Sequence, residues 1–369
     1  MITLRADRVF DGVAMVRDGV VGIDGGLIAA ASGPVEQLPP GSTLCPGFID
    51  LQVNGAGGVL FNADTTASGL RRIGAALARV GTTSFLPTLI SSRAQFDDAE
   101  RAVDEVLAGP ECGVIGLHIE GPFINPARHG THPLDMIVVP TEADAARLGT
   151  RPVWPRIVTV ASEMVEPALL ARLIAGNVCV FVAHSDATRD QAATAFAAGV
   201  VGTTHLFNAM SQIGGRAPGL VGATLDAPAA MAGIIVDGIH VDPACVRIAH
   251  AAMGPSRLFL VSDCMPTAAS DTTSFRFKGE TIELRDGRLI DANGSLAGAH
   301  LTMAQAVKCA VDLCGLPLAD ALTMATATPA SAIQLADRGR IAPGLRADLV
   351  ALDPDLTVIG VWRAGTRVH

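Results

Sequence analysis

Short runs of Val, Ile, Leu, Phe and Ala recur through the middle of this chain, and several stop abruptly at one imidazole or carboxylate. Gly116-Leu-His118-Ile-Glu120 runs into Gly-Pro, Phe181-Val-Ala ends at His184, Thr203-Thr ends at His205, and Leu260-Val-Ser ends at Asp263. A strand that is apolar almost without interruption is buried on both faces, as in a parallel sheet covered by helices. When such a strand ends in a polar residue, it delivers one functional side chain to its carboxyl end. Repetition of that pattern predicts a barrel enzyme with its chemistry gathered at one mouth.

Strand-like runs at 47–53, 83–90, 114–120, 156–162, 178–184, 201–205, 233–240 and 258–263 alternate with helical stretches such as 70–80 and 97–107. Eight strands close a (β/α)8 TIM-like barrel, so the predicted fold class is α/β. A doubly wound open sheet is the alternative, and it accounts less well for polar residues at the ends of so many strands. The two chain ends read differently. Short alternating runs split by Asp-Gly and Gly-Gly turns fill 1–46, and a similar rhythm returns at 347–353 and 358–362. The expected division is a small β-sandwich domain built from 1–46 and 341–369, with the barrel over 47–340. A chain of 369 residues, 49% of them apolar, can bury both cores.

The net charge of −9 and the lack of a basic run exclude a nucleic-acid surface. No segment has the length of an uncharged membrane helix and the first residues carry no apolar leader, so no membrane partner and a cytoplasmic setting are expected. Seven cysteines, without paired spacing, read as reduced thiols, Cys264 among them as a buried, inert one.

Glu120, His184 and His205 offer one carboxylate and two imidazoles from three strand ends, a donor set for one divalent cation, zinc first, with iron or manganese also accommodated. Asp263, ending a fourth strand, suits a general base that takes a proton from water on the cation and returns it to a leaving group. The competing reading of Asp263 as a helix cap leaves the neighbouring ligand set unexplained. His132, in the loop after Glu120, is a candidate to reach a carbonyl over the metal. His118 points the same way as Glu120 and reads as a structural residue of the barrel interior. Neither a dinucleotide fingerprint, nor a phosphate loop, nor a Gly-x-Ser-x-Gly elbow is present.

The segments Pro46-Gly-Phe-Ile-Asp-Leu-Gln52-Val-Asn54-Gly, His118-Ile-Glu120-Gly-Pro-Phe, His184-Ser-Asp-Ala-Thr, His205-Leu-Phe-Asn208-Ala-Met210, Asp237-Gly-Ile-His240 and Val261-Ser-Asp263 together resemble the N-acetylglucosamine-6-phosphate deacetylases of the amidohydrolase superfamily. The resemblance spans essentially the whole chain. It implies hydrolysis of the acetamide of N-acetylglucosamine 6-phosphate to glucosamine 6-phosphate and acetate, with Asp263 moving the proton and His132 helping to stabilise the oxyanion. By the same carry-over, loop amides of Asn208 and Ala209 and the side chain of His240 meet the sugar phosphate, and Arg216 reaches the neighbouring site of a homodimer. Gln52 and Asn54 stand where many superfamily members carry His-x-His, which implies a mononuclear site with both residues near substrate or a second-metal position. Lys278 and Lys308 are the only lysines, and neither ends a barrel strand, so a carboxylated-lysine bridge is not expected. The sequence Cys264-Met-Pro-Thr267 departs from the small residues expected after the catalytic Asp. Rival readings are the N-acetylgalactosamine 6-phosphate epimer as substrate, another amidohydrolase chemistry such as cyclic amide hydrolysis or deamination, and a sugar-phosphate binding protein without catalysis.

Overall fold

A computed structural model of the chain describes residues 1–150, 152–176, 178–292 and 294–369. Its centre is a parallel sheet of eight strands in chain order: β1 (Phe48–Val53), β2 (Thr82–Ile90), β3 (Leu117–Glu120), β4 (Arg156–Val160), β5 (Cys179–Val182), β6 (Gly202–Thr203), β7 (Met231–Ile234) and β8 (Leu258–Leu260). Every neighbouring pair is parallel. The ring closes between β8 and β1 through a parallel bridge from Val53 to Cys264. Beneath that bridge Asp50 accepts hydrogen bonds from the Ser262 N–H (3.2 Å) and hydroxyl. The open-sheet alternative is thereby excluded.

Every residue of β1 and β2 is buried, because helices cover the outside of the ring while side chains fill the inside. The helix Phe96–Leu107 illustrates the covering layer: Phe96, Ala99, Ala102, Val103 and Val106 are buried at helical spacing, with acidic and basic residues facing water. The helix Ala67–Ala78 starts where the Thr66 hydroxyl accepts from the Gly69 N–H at 3.1 Å.

Both chain ends enter one mixed sheet of eight strands, in which Thr43–Pro46 pairs with Leu349–Leu352 on one side and with Ile2–Phe10 on the other. The sheet folds over so that Leu27 bridges Arg346, enclosing a separate core of Leu4, Val21, Ile23, Leu44, Leu349 and Trp362. A third sheet was not anticipated from sequence. Four antiparallel strands, Ser274–Phe277, Glu280–Arg285, Arg288–Ile290 and Leu296–Ala299, lie between β8 and the helix Met303–Asp312. Its last strand leads back to the barrel mouth through a bridge from Ala299 to Cys264. No helix among the described residues is long and apolar enough to cross a membrane.

Candidate active site

The ends of four barrel strands share a backbone feature that aims their side chains. Ser91, His184, His205 and Asp263 have φ values of 31°, 47°, 34° and 50°, in the left-handed region that non-glycine residues seldom occupy. Each position costs about 1 kcal/mol or more relative to an extended residue, a cost that persists only where surrounding structure fixes it. Here the turn swings each side chain away from the strand direction and over the mouth of the barrel.

Glu120, the last residue of β3, is the centre of the resulting cluster. Its Oε1 lies 3.1 Å from His205 Nε2 and 3.6 Å from His184 Nε2, and those two nitrogens are 3.0 Å apart. One ligand atom from each of the three buried residues falls within 4.8 Å of the others. His184 Nδ1 can only donate to the Arg128 carbonyl oxygen (2.8 Å), which leaves Nε2 as the ring nitrogen that faces the cluster. A carboxylate and two imidazoles arranged in this way fit a divalent cation with open positions for water and substrate.

The site's electrostatics follow from this crowding. Burial resists a charge on Glu120, yet the adjoining His184 and His205 rings hold its carboxyl well below the usual range. Burial also opposes a charge on His205, but the bond to Glu120 outweighs it and raises that pKa. His132 is pushed well below the ordinary histidine value, first by burial and then by the neighbouring His184. Asp263 behaves oppositely: burial, reinforced by the Glu120 charge, lifts its carboxyl to about 7.

The predicted site residues converge on one cleft of about 180 Å³, lined by Asn54, Glu120, His132, His184, His205 and Asp263. Gln52 donates from Nε2 to Glu120 Oε1 at 3.0 Å, and Asn54 donates from Nδ2 to Asp263 Oδ1 at 2.6 Å. The two residues that replace His-x-His therefore act as carboxamide partners of the two carboxylates. His240 also lines the cleft, its Nδ1 2.6 Å from Asp237 Oδ2. Burial opposes ionisation of Asp237, but that contact with His240 keeps its carboxyl below the usual value. The Asn208 N–H closes a turn on the His205 carbonyl at 3.0 Å, whereas the Ala209 N–H has no backbone partner among the described residues. Arg216 does not join the cleft of its own chain. It is exposed, and among the described residues it has no hydrogen-bond or ion-pair partner.

His118 is buried under the cluster with Nδ1 3.0 Å from the Leu51 carbonyl and Nε2 2.8 Å from the Thr159 hydroxyl, and burial lowers its pKa to about 4. Cys264 is fully buried and burial raises its thiol pKa, which removes its reactivity. Sequence reasoning missed Ser91, and it missed Met265, Leu296 and Gly298, which form a wall of the cleft. Leu296 and Gly298 come from the unanticipated sheet, whose strand rhythm of Phe275, Phe277, Ile282, Leu284 and Leu289, broken at Gly279 and Gly287, was the available signal.

An eight-stranded barrel with this donor set and a buried carboxyl at its carboxyl-terminal mouth defines the class of metal-assisted hydrolases. The chain belongs to the amidohydrolase family, whose sequence profile matches residues 43–368. It is 39% identical to the N-acetylgalactosamine-6-phosphate deacetylase of Shewanella sp. (strain ANA-3), over 96% of this chain and 91% of that protein. It is 36% identical to the N-acetylglucosamine-6-phosphate deacetylase of Haemophilus influenzae, over 94% of this chain and 93% of that protein. The crystal structure of N-acetylglucosamine-6-phosphate deacetylase from Pasteurella multocida superposes with a TM-score of 0.95 at 34% identity, covering 99% of each chain.

Proposed function

We propose that the protein hydrolyses the acetamide of N-acetyl-D-glucosamine 6-phosphate, releasing D-glucosamine 6-phosphate and acetate. The observation that carries this reading is the buried Glu120, His184 and His205 cluster facing Asp263 across one cleft, in a chain similar over nearly its whole length to deacetylases of 6-phosphorylated amino sugars. A divalent cation held by Glu120, His184 and His205, zinc in our reading, supplies Lewis-acid polarisation of the amide carbonyl and lowers the pKa of water toward about 7. Asp263 takes the proton of the attacking water and returns it to the departing amine. Its carboxyl, lifted to about 7, suits both directions of transfer near neutral pH. Asn54 holds Asp263 Oδ1, and among the described residues Oδ2 has no hydrogen-bond partner. His132, neutral and 4.0 Å from Glu120, turns an N–H toward the amide oxygen as charge develops there.

His240 and the Ala209 amide, with Asn208, meet the 6-phosphate. Arg216, exposed and unpartnered, completes that anion site in the second subunit of a homodimer. Gln52 and Asn54 support a single cation, since a carboxamide donating to Glu120 is a poor ligand for a second one. The chain works as a barrel over 47–340 carrying a small domain made from 1–46 and 341–369, a division supported by the separate apolar cores. A dianionic substrate and an odd set of seven cysteines without paired spacing favour the cytoplasm.

The galactosamine epimer remains a second reading, favoured by the 39% identity to the Shewanella enzyme. Release of free amine from the two 6-phosphorylated epimers and from unphosphorylated N-acetylglucosamine tests the assignment. Turnover that prefers the phosphorylated glucosamine sugar supports it. Preference for the galactosamine sugar transfers the assignment to the epimer, and indifference to the phosphate refutes both.

A further inference from the structure

Ser91 belongs to the same set of left-handed strand ends as His184, His205 and Asp263, and it is completely buried. Its N–H donates to the Glu120 carbonyl oxygen (2.8 Å), and its hydroxyl lies 2.6 Å from His132 Nδ1. The residue before it is clamped from both sides: the Ile90 N–H donates to Asn62 Oδ1 (3.0 Å), and Asn62 Nδ2 donates to the Ile90 carbonyl (2.9 Å). Opposite the hydroxyl stands Gly121, where a Cβ would fall 2.6 Å from Ser91 Oγ, so the absence of a side chain there admits the contact.

The direction of the hydrogen bond decides what His132 can do. A neutral imidazole has one N–H, on either Nδ1 or Nε2. The Ser91 hydroxyl is completely buried and, among the described residues, has no hydrogen-bond partner besides His132 Nδ1, so an N–H on Nδ1 would leave its O–H without an acceptor. The proton therefore sits on Nε2, Nδ1 offers the lone pair, and the Ser91 O–H must donate to it. We infer that Ser91 is a positioning residue that selects the Nε2–H tautomer of His132, so that a donor rather than a lone pair meets the substrate's carbonyl oxygen. One hydroxyl at the end of β2 thereby sets the hydrogen-bonding sense of a side chain from the loop after β3, while its backbone holds the end of β3 itself. This rests on the reading of His132 as an oxyanion donor.

The test combines nitrogen-15 NMR of the histidine rings in metal-loaded protein with kinetics. His132→Ala identifies the His132 signals. The parent protein should show protonated Nε2 and unprotonated Nδ1. Ser91→Ala should show mixed tautomers, with kcat lowered by about tenfold to a hundredfold while KM and metal content hold. Ser91→Gly, which suits the left-handed backbone, should behave alike and guards against a folding defect. Adding Ser91→Ala to His132→Ala should cause no further loss, since one residue acts through the other. A parent spectrum with protonated Nδ1, or a Ser91→Gly protein keeping both the tautomer and the turnover, would overturn the inference. Near-normal turnover in His132→Ala would instead sink the oxyanion reading alone, because the spectrum reports the tautomer independently.

Discussion

Replacing Asp50 with Asn should make the protein increasingly more stable than its parent as the pH rises. Asp50 sits at the seam of the barrel, fully buried, and burial pushes its carboxyl from 3.8 up to about 6 despite hydrogen bonds from Ser262 and Gln52. A carboxyl raised on folding favours the folded state fully below the unfolded pKa. That contribution is lost as the pH climbs from 3.8 through about 6. At roughly 1.4 kcal/mol per pH unit, the whole gap is worth about 3 kcal/mol. Between pH 4.5 and 7.5, about 2 kcal/mol of it should appear, because part of the titration is already complete at the lower pH. Asn imitates the protonated acid, with an oxygen that accepts from the Gln52 and Ser262 amides and an NH2 that donates to the Ser262 hydroxyl. Urea unfolding of both proteins, followed by Trp fluorescence at the two pH values, measures the difference. A stability gap that stays flat with pH, or narrows as pH rises, would refute the argument.

Asp263→Asn should retain bound metal and lose at least about a hundredfold in turnover, read by amine release beside metal analysis. His184→Ala and His205→Ala should each lose the metal itself, measured by elemental analysis after dialysis against a weak chelator. Arg216→Ala should raise KM for the phosphorylated sugar with little change for an unphosphorylated one. Mixed and reassembled with Asp263→Asn, it should recover about a quarter of parental sites if Arg216 serves the partner subunit. No recovery on mixing would confine Arg216 to its own chain.

The barrel was legible because buried parallel strands announce themselves as unbroken apolar runs, and all eight lie within the stretches read from sequence or overlap them. Their ends were read too long. β5 stops at Val182 and β6 at Thr203, each two residues before its histidine, because His184 and His205 sit in left-handed turns rather than in the ladder. The metal donors were still found, since residue type and position after an apolar run survive that error. Ser91 carried no comparable signal: one serine among several polar loop residues gains meaning only when folding brings it beside His132, 41 positions away. The small sheet over 274–299 was overlooked because its strands are short and half exposed, so polar residues diluted the alternation.

The central claim is that one divalent cation, held by Glu120, His184 and His205, supports deacetylation of a 6-phosphorylated amino sugar. Chelator-stripped protein titrated with zinc tests it most directly, with acetate release from N-acetylglucosamine 6-phosphate followed at each addition. Turnover should rise in proportion to added zinc and level off at about one ion per chain, and Glu120→Gln should neither bind nor respond. Full turnover of stripped protein, or a rise that requires a second ion per chain, would contradict the account.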